Sequence, residues 1–94
     1  MPTSVLIVDD HPSFRASARR MLEASGYAVV GEAENGANAL TAVRELRPDL
    51  VLLDLHMSGI DGFDLIARLR DATPPEHHVP ILAVTGGLAG TRTG

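Results

Sequence analysis

The chain carries four short apolar segments separated by stretches of helical periodicity. The segments are SVLIV at 4–8, YAVVGEA at 27–33, DLVLLD at 49–54 and VPILAVT at 79–85. Most of their residues are aliphatic and show little alternation with polar residues, which is typical of strands buried on both faces of a parallel sheet. The order β-α-β-α-β-α-β therefore predicts an α/β domain with helices packed on the faces of a doubly wound sheet.

Helix boundaries are indicated by proline, glycine and asparagine. Pro12 suits the first turn of the first helix, and Gly26 is the predicted cap at its end. The pair Asn35-Gly36 predicts a turn, and the second helix is expected to stop before Pro48.

Composition excludes several classes of function. A length of 94 residues allows one small domain. The net charge of −4 and the scattered arginines provide no electrostatic surface for nucleic acid. The apolar runs are far shorter than a membrane span, no secretory signal pattern begins the chain, and there is no cysteine. We therefore expect a cytoplasmic protein that binds neither nucleic acid nor membrane.

Polar residues that can bind ligands or take part in chemistry stand where the predicted strands end. Asp9 and Asp10 follow the first strand, Asp54 ends the third, and Thr85 ends the fourth. The carboxyl ends of parallel strands meet at one edge of such a sheet, where ligands bind. The sequence thus predicts three carboxylates and a hydroxyl in one crevice.

Three neighbouring carboxylates repel one another unless a cation accompanies them. Mg²⁺ prefers oxygen ligands and is commonly held by one or two carboxylates together with a phosphate group. An aspartate can also attack phosphorus to give an aspartyl phosphate, and a hydroxyl such as that of Thr85 could donate to a phosphoryl oxygen. The crevice therefore suits Mg²⁺ and a phosphoryl group together.

Three sequence segments, VLIVDDHP, DLVLLDLHMSGIDG and PILAVTG, occur in an order and at a spacing that resemble a known family. The chain resembles the receiver domain of two-component response regulators, the CheY-like superfamily. The resemblance covers residues 4 to about 87 and implies a flavodoxin-like fold with strand order 2-1-3-4.

The resemblance also implies a role for each site residue. Asp54 would be the phosphoacceptor, and a phosphohistidine on a sensor histidine kinase would be the donor. Asp10 would bind Mg²⁺ directly, Asp9 mostly through water, and His56 through its backbone carbonyl. Thr85 would be the switch hydroxyl that moves toward the phosphoryl group.

The sequence departs from the family pattern after the fourth strand. The family continues through a fourth helix, a fifth strand ending in a lysine, and a fifth helix, whereas this sequence contains no lysine. We therefore expect residues 1–87 to form a truncated receiver domain that lacks these elements, and 88–94 to form a flexible glycine-rich tail. The exposed edge of strand four would then favour self-association.

Two functions remain open, and a third is disfavoured. The first is a regulatory phosphoacceptor module, which is no enzyme beyond assisting its own phosphorylation and dephosphorylation. The alternative is a degenerate receiver fragment that acts in protein interaction or dimerisation without productive phosphorylation. A phosphohydrolase with an aspartate nucleophile would need a second aspartate where His56 stands.

Histidines offer weaker candidates for metal binding. We expect His11 to begin the first helix and to stay solvated. The pair His77-His78 has no acidic or cysteine partner at ligand spacing, so a polar loop is expected there.

Overall fold

Strands and helices alternate along the whole described part of the chain. The computed structural model describes residues 2–54, 62–72 and 81–84. The elements are β1 (Ser4–Val8), α1 (Pro12–Ala24), β2 (Ala28–Ala33), α2 (Gly36–Leu46), β3 (Leu50–Asp54), α3 (Gly62–Asp71) and β4 (Ile81–Val84). This order confirms the predicted alternation.

The four strands form one parallel sheet in the order β2-β1-β3-β4. This order confirms the flavodoxin-like arrangement, in which the chain reverses its direction of winding after β2. The second strand begins one residue later than predicted, at Ala28. Residues 79, 80 and 85 of the fourth predicted strand, and the predicted tail at 88–94, lie outside the described residues.

Each face of the sheet has its own hydrophobic cluster, because alternate residues of a strand point to opposite faces. On one face Leu6 and Val8 pack with Leu65 and Leu69 of α3 and with residues of α2. On the other face Val5, Ile7 and Ala18 pack with partly buried residues of α1, β2 and β3. Helices therefore cover both faces, as a doubly wound sheet requires.

The end of α1 shows why Gly26 is needed there. The N–H of Gly26 donates to Glu23 O at 3.1 Å, and the N–H of Tyr27 donates to Leu22 O at 3.0 Å. This pair of hydrogen bonds is the Schellman motif, whose central residue takes a left-handed conformation. Gly26 has φ of +95°, so the predicted glycine cap is confirmed, with Ser25 between it and the helix.

Both ends of α2 depend on single residues. Asn35 was predicted to form a turn with Gly36, but instead it is the N-cap of α2 and accepts a hydrogen bond from Asn38 N–H at 2.8 Å. The same side-chain chemistry serves turns and helix starts, which explains the error. The helix ends at Leu46, and its C-cap residue Arg47 has φ of +47° and precedes Pro48.

The register of the sheet brings the strand ends to one edge. Val8 pairs with Leu53, and Asp54 pairs with Val84. Asp9 follows Val8 directly and continues the strand direction, since its N–H donates to Ala33 O at 3.0 Å. The carboxyl ends of β1, β3 and β4 therefore stand side by side.

None of the described helices has the length and hydrophobicity needed to span a lipid bilayer.

Candidate metal and phosphoryl site

Three aspartates meet at the carboxyl edge of the sheet. Carboxylate oxygens of Asp9, Asp10 and Asp54 lie within 4.8 Å of one another, together with a ring nitrogen of His11. Asp9 and Asp54 are buried, with 1% and 5% of their surface exposed, and Asp10 is partly buried. The structure thus brings together the three carboxylates predicted from the sequence, although Asp54 is distant from the other two in the chain.

Hydrogen bonds hold Asp9 on both its main chain and its side chain. Its N–H extends the ladder between β1 and β2 by donating to Ala33 O. Its Oδ1 accepts a hydrogen bond from the N–H of His11 at 2.7 Å, which is the contact of an Asx turn. This local turn lets the chain leave the strand and enter α1 while the carboxylate stays buried.

The imidazole of His11 bridges the acid pair. Its Nδ1 lies 3.0 Å from Oδ1 of Asp9 and 2.9 Å from Oδ1 of Asp10. The hydrogen bond with Asp9, and then the charge of Asp10, raise the pKa of His11. The ring is 65% exposed, which agrees with the prediction that His11 stays solvated at the start of the helix. That prediction did not include the contacts with Asp9 and Asp10. The sequence signal was the direct adjacency in Asp-Asp-His.

Arg15 is a second contact that the sequence analysis missed. Its Nη1 donates to the backbone carbonyl of Asp9 at 2.6 Å, and its Nε donates to Oε1 of Glu32 at 3.1 Å. Glu32 also accepts from Nε of Arg19 at 2.7 Å. The bond from Arg19, followed by that from Arg15, lowers the pKa of Glu32 against the opposing effect of burial. The available signal was an arginine in the first turn of the helix that follows the acid pair.

The donor set of this pocket fits a hard divalent cation. The three aspartates supply oxygen atoms, which Mg²⁺ prefers, and the buried negative charges are close enough to need a counter-ion. Thr85, His56 and the pair His77-His78 lie outside the described residues, and Thr85 follows the last residue of β4 in the sequence.

Comparison with known proteins points to one family. Residues 5–91 match the model of the response regulator receiver domain. A putative transcriptional regulator of Pseudomonas aeruginosa is 50% identical over 68 residues, which are 72% of this chain and 33% of the relative. The chain thus spans about a third of the length of that curated relative.

Two solved structures resemble the fold closely. The CheY-like receiver domain of a response regulator from Methylobacillus flagellatus superposes with a TM-score of 0.83 at 29% identity, covering 92% of this chain and 71% of that one. A response regulator from Burkholderia pseudomallei, solved with a phosphorylated aspartic acid, a calcium ion and citrate, superposes with a TM-score of 0.77 at 34% identity. That match covers 89% of this chain and 47% of the other.

Proposed function

This chain belongs to the response regulator receiver domain family, whose members are regulatory domains of two-component signalling, and on that premise we propose that Asp54 accepts a phosphoryl group. The donor would be a phosphohistidine of a sensor histidine kinase, and the transfer would depend on Mg²⁺. The observation that carries this proposal is the meeting of Asp9, Asp10 and Asp54 at the carboxyl edge of the sheet.

The position of Asp54 supports the proposed transfer. As the last residue of β3, it stands on a rigid element while its carboxylate faces the other two acids. In the transfer a carboxylate oxygen of Asp54 attacks phosphorus and forms a new O–P bond. The P–N bond to the donor imidazole breaks, and the imidazole nitrogen keeps the electron pair and takes up a proton. Such transfer depends on positioning and charge neutralisation more than on covalent chemistry by other groups.

The remaining site residues have supporting roles in this proposal. When bound, Mg²⁺ would offset the negative charge of the carboxylates and of the phosphoryl oxygens. Asp10 would hold it directly, Asp9 mostly through water, Asp54 through a carboxylate oxygen and His56 through its carbonyl. Thr85 would donate its hydroxyl to a phosphoryl oxygen, which is compatible with the pairing of Asp54 with Val84.

Phosphorylation by a small donor tests the proposal without knowledge of the kinase. The chain is incubated with Mg²⁺ and phosphoramidate, whose P–N bond resembles that of phosphohistidine, and its intact mass is measured. We expect the mass of one phosphoryl group to be added, to be removed by hydroxylamine, and to be absent after chelation of the metal. The variant Asp54→Asn should gain nothing, whereas Asp64→Asn, which removes an exposed carboxylate on α3, should behave as the wild type.

Failure of this experiment has a definite meaning. If Asp54→Asn is phosphorylated as well as the wild type, the assignment of the phosphoacceptor is wrong. Steady turnover of a phosphate ester would instead support the phosphohydrolase that the sequence disfavours.

The limits of the domain and its location belong to the same proposal. We assign the receiver domain to residues 1–87 and a flexible tail to 88–94. We also propose a cytoplasmic location, which is supported by the family and by the sequence features described above.

A second candidate function is an interaction module that binds a partner copy without phosphorylation. In the described sheet β4 is the last strand and pairs only with β3. Strand edges of this kind favour pairing with another chain. Light scattering after gel filtration distinguishes the candidates, because this module predicts a stable dimer in the absence of phosphodonor. A monomer that gains a phosphoryl group contradicts it.

A further inference from the structure

Arg15 connects the acidic turn to the neighbouring strand. Its guanidinium contacts the carbonyl of Asp9 on one side and the carboxylate of Glu32, in β2, on the other. The side chain is only 14% exposed. It therefore occupies a defined position beside the pocket, and the mechanism proposed above does not use it.

We propose that Arg15 is a positioning residue that sets the cation affinity of the pocket by holding the peptide group between Asp9 and Asp10. This inference rests on the proposed function, since it requires that the pocket binds a divalent cation. Arg15 would act through the main chain of the acid pair, without touching the cation or the phosphoryl group.

Arg15 binds one peptide group, the one between Asp9 and Asp10. The carbonyl of Asp9 and the N–H of Asp10 belong to one planar unit, so the direction of the carbonyl determines how the chain enters Asp10. The 2.6 Å bond from Arg15 holds that carbonyl, while Ala33 O accepts the N–H on the other side of Asp9. With both ends restrained, the side chain of Asp10 starts from a fixed direction. Rotation of this plane would move a carboxylate that must point at the cation.

The helix dipole by itself does not favour a cation at the position of Arg15. Arg15 lies in the first turn of α1, where the helix dipole is positive and disfavours a cation. Helical side chains point back toward the N-terminus, so this position can reach the strand end that precedes the helix. Its charged hydrogen bonds to a carbonyl and to a carboxylate compensate for the unfavourable position.

Glu32 and Arg19 provide a means of separating positioning from simple charge. Glu32 accepts from Nε of both arginines and so orients the guanidinium of Arg15. The hydrogen bonds found for the Arg19 side chain go to Glu32 of β2 and to Glu23 of α1. Arg19→Gln thus removes the same charge from the same ionic cluster and leaves the Asp9 carbonyl untouched.

Calorimetric titration with Mg²⁺ tests the proposal on the whole chain. We expect Arg15→Gln to weaken Mg²⁺ binding about 10-fold, within the 10–100-fold typical of residues that hold a metal ligand. Arg19→Gln should change it less than about 2-fold, since only charge at a distance is lost. Arg15→Lys keeps the charge without the planar fork and should recover part of the affinity.

A double-mutant cycle tests the path through Glu32. Glu32→Gln should weaken Mg²⁺ binding by itself, because it replaces the charged acceptor of Arg15 Nε by a neutral amide and so weakens the hold on the guanidinium. In the background of Arg15→Gln it should have no further effect, because its influence on the pocket would pass through Arg15. Equal effects of Glu32→Gln in both backgrounds would contradict the proposal.

A spectroscopic readout separates positioning from loss of stability. In the metal-free protein the backbone amide resonances of Asp10 and His11 should shift in Arg15→Gln and stay in place in Arg19→Gln. Unfolding in urea is measured for each variant, and Mg²⁺ affinities are compared at concentrations where all are folded. If Arg15→Gln does not fold, Mg²⁺ affinities and amide shifts are compared between the wild type and the variants Arg15→Lys and Glu32→Gln.

The outcomes distinguish this inference from the proposed function. If the wild type binds Mg²⁺ and Arg15→Gln binds it equally well, Arg15 has only a structural role and the inference is wrong. If the wild type binds no Mg²⁺ and accepts no phosphoryl group, the proposed function fails, and this inference fails with it. Weakening by Arg15→Gln and not by Arg19→Gln supports both.

Discussion

Replacing Asp54 by asparagine should stabilise the metal-free protein. Asp54 is 5% exposed, and an oxygen of its carboxylate lies at most 4.8 Å from oxygens of Asp9 and Asp10. Asparagine keeps nearly the same shape and one carbonyl oxygen, so the substitution mainly removes a negative charge. The substitution relieves repulsion in the native state but little in the unfolded state, where Asp54 is far from Asp9 and Asp10. The free energy of unfolding of Asp54→Asn should therefore be higher than that of the wild type.

The magnitude follows from the separation. Two like charges 4.8 Å apart repel by about 3.5 kcal/mol at an effective dielectric constant of about 20. The partly exposed Asp10 is screened by water, and the neighbouring His11 offsets repulsion when it is protonated. We therefore expect a net gain of about 1–2 kcal/mol in the free energy of unfolding.

Urea unfolding followed by far-ultraviolet circular dichroism measures this gain. In the presence of EDTA, Asp54→Asn should unfold at higher urea concentration than the wild type. Mg²⁺ at 100 times its dissociation constant should stabilise the wild type by about 2.7 kcal/mol and the variant much less, so the order of stability should reverse.

A control and a contrary outcome complete the experiment. Asp64→Asn removes an exposed charge that pairs with Arg68, and it should cost about 0.3–0.5 kcal/mol with or without the metal. If Asp54→Asn is less stable than the wild type in EDTA, repulsion among the three carboxylates is not a major cost, and the reasoning is wrong.

Three further predictions concern the turn, the histidine and the ion pairs. Gly26→Ala should cost about 1 kcal/mol in urea unfolding, because a left-handed residue is strained although nothing lies within 4 Å of the new Cβ; no loss would contradict the assigned φ of +95°. The pKa of His11 is raised, so its contribution to stability is fully present below the unfolded-state pKa of the imidazole while the aspartates stay ionised, and it is lost as pH rises through the folded-state pKa. In a proton NMR titration Mg²⁺ should lower that pKa, and an unchanged value would mean that cation and imidazole do not compete. The pKa of Glu32 is lowered, so its contribution is present at neutral pH and lost as pH falls through the folded-state value. Arg19→Gln should therefore cost about 0.2–1 kcal/mol at pH 7 and almost nothing in acid, and a cost independent of pH would contradict this ion pair.

Much of the site could be predicted because its acids stand at the ends of apolar segments. Burial and strand propensity are properties of short stretches, so the ends of β1 and β3 could be read to within a residue or so. The sequence cannot give distances between such ends, and the approach of the carboxylates to within 4.8 Å depends on the register of β1 with β3. The parallel sheet, with its crossover helices, brings Asp54 to the acid pair.

The errors and omissions have the same origin. The pair Asn35-Gly36 predicts a turn because an asparagine side chain can satisfy a backbone N–H in a turn or at a helix start, and the packing of α2 decides between them. Gly26 was predicted correctly because only its own backbone conformation is involved. Local chemistry therefore predicted the backbone conformation of a single residue, as at Gly26. It did not predict whether the side chain of Asn35 belongs to a turn or to the start of a helix.

The sequence by itself determined the class of fold, the alternation of elements and the acids that end the strands, because these depend on hydrophobic periodicity and local conformation. Only the tertiary structure decided what surrounds those acids. The imidazole of His11 lies between two carboxylates, and Arg15 reaches back from α1 to the carbonyl of Asp9. His11 and Arg15 stand at the start of α1, and the packing of this helix on the sheet sets the directions of their side chains. Both contacts are therefore properties of the folded chain.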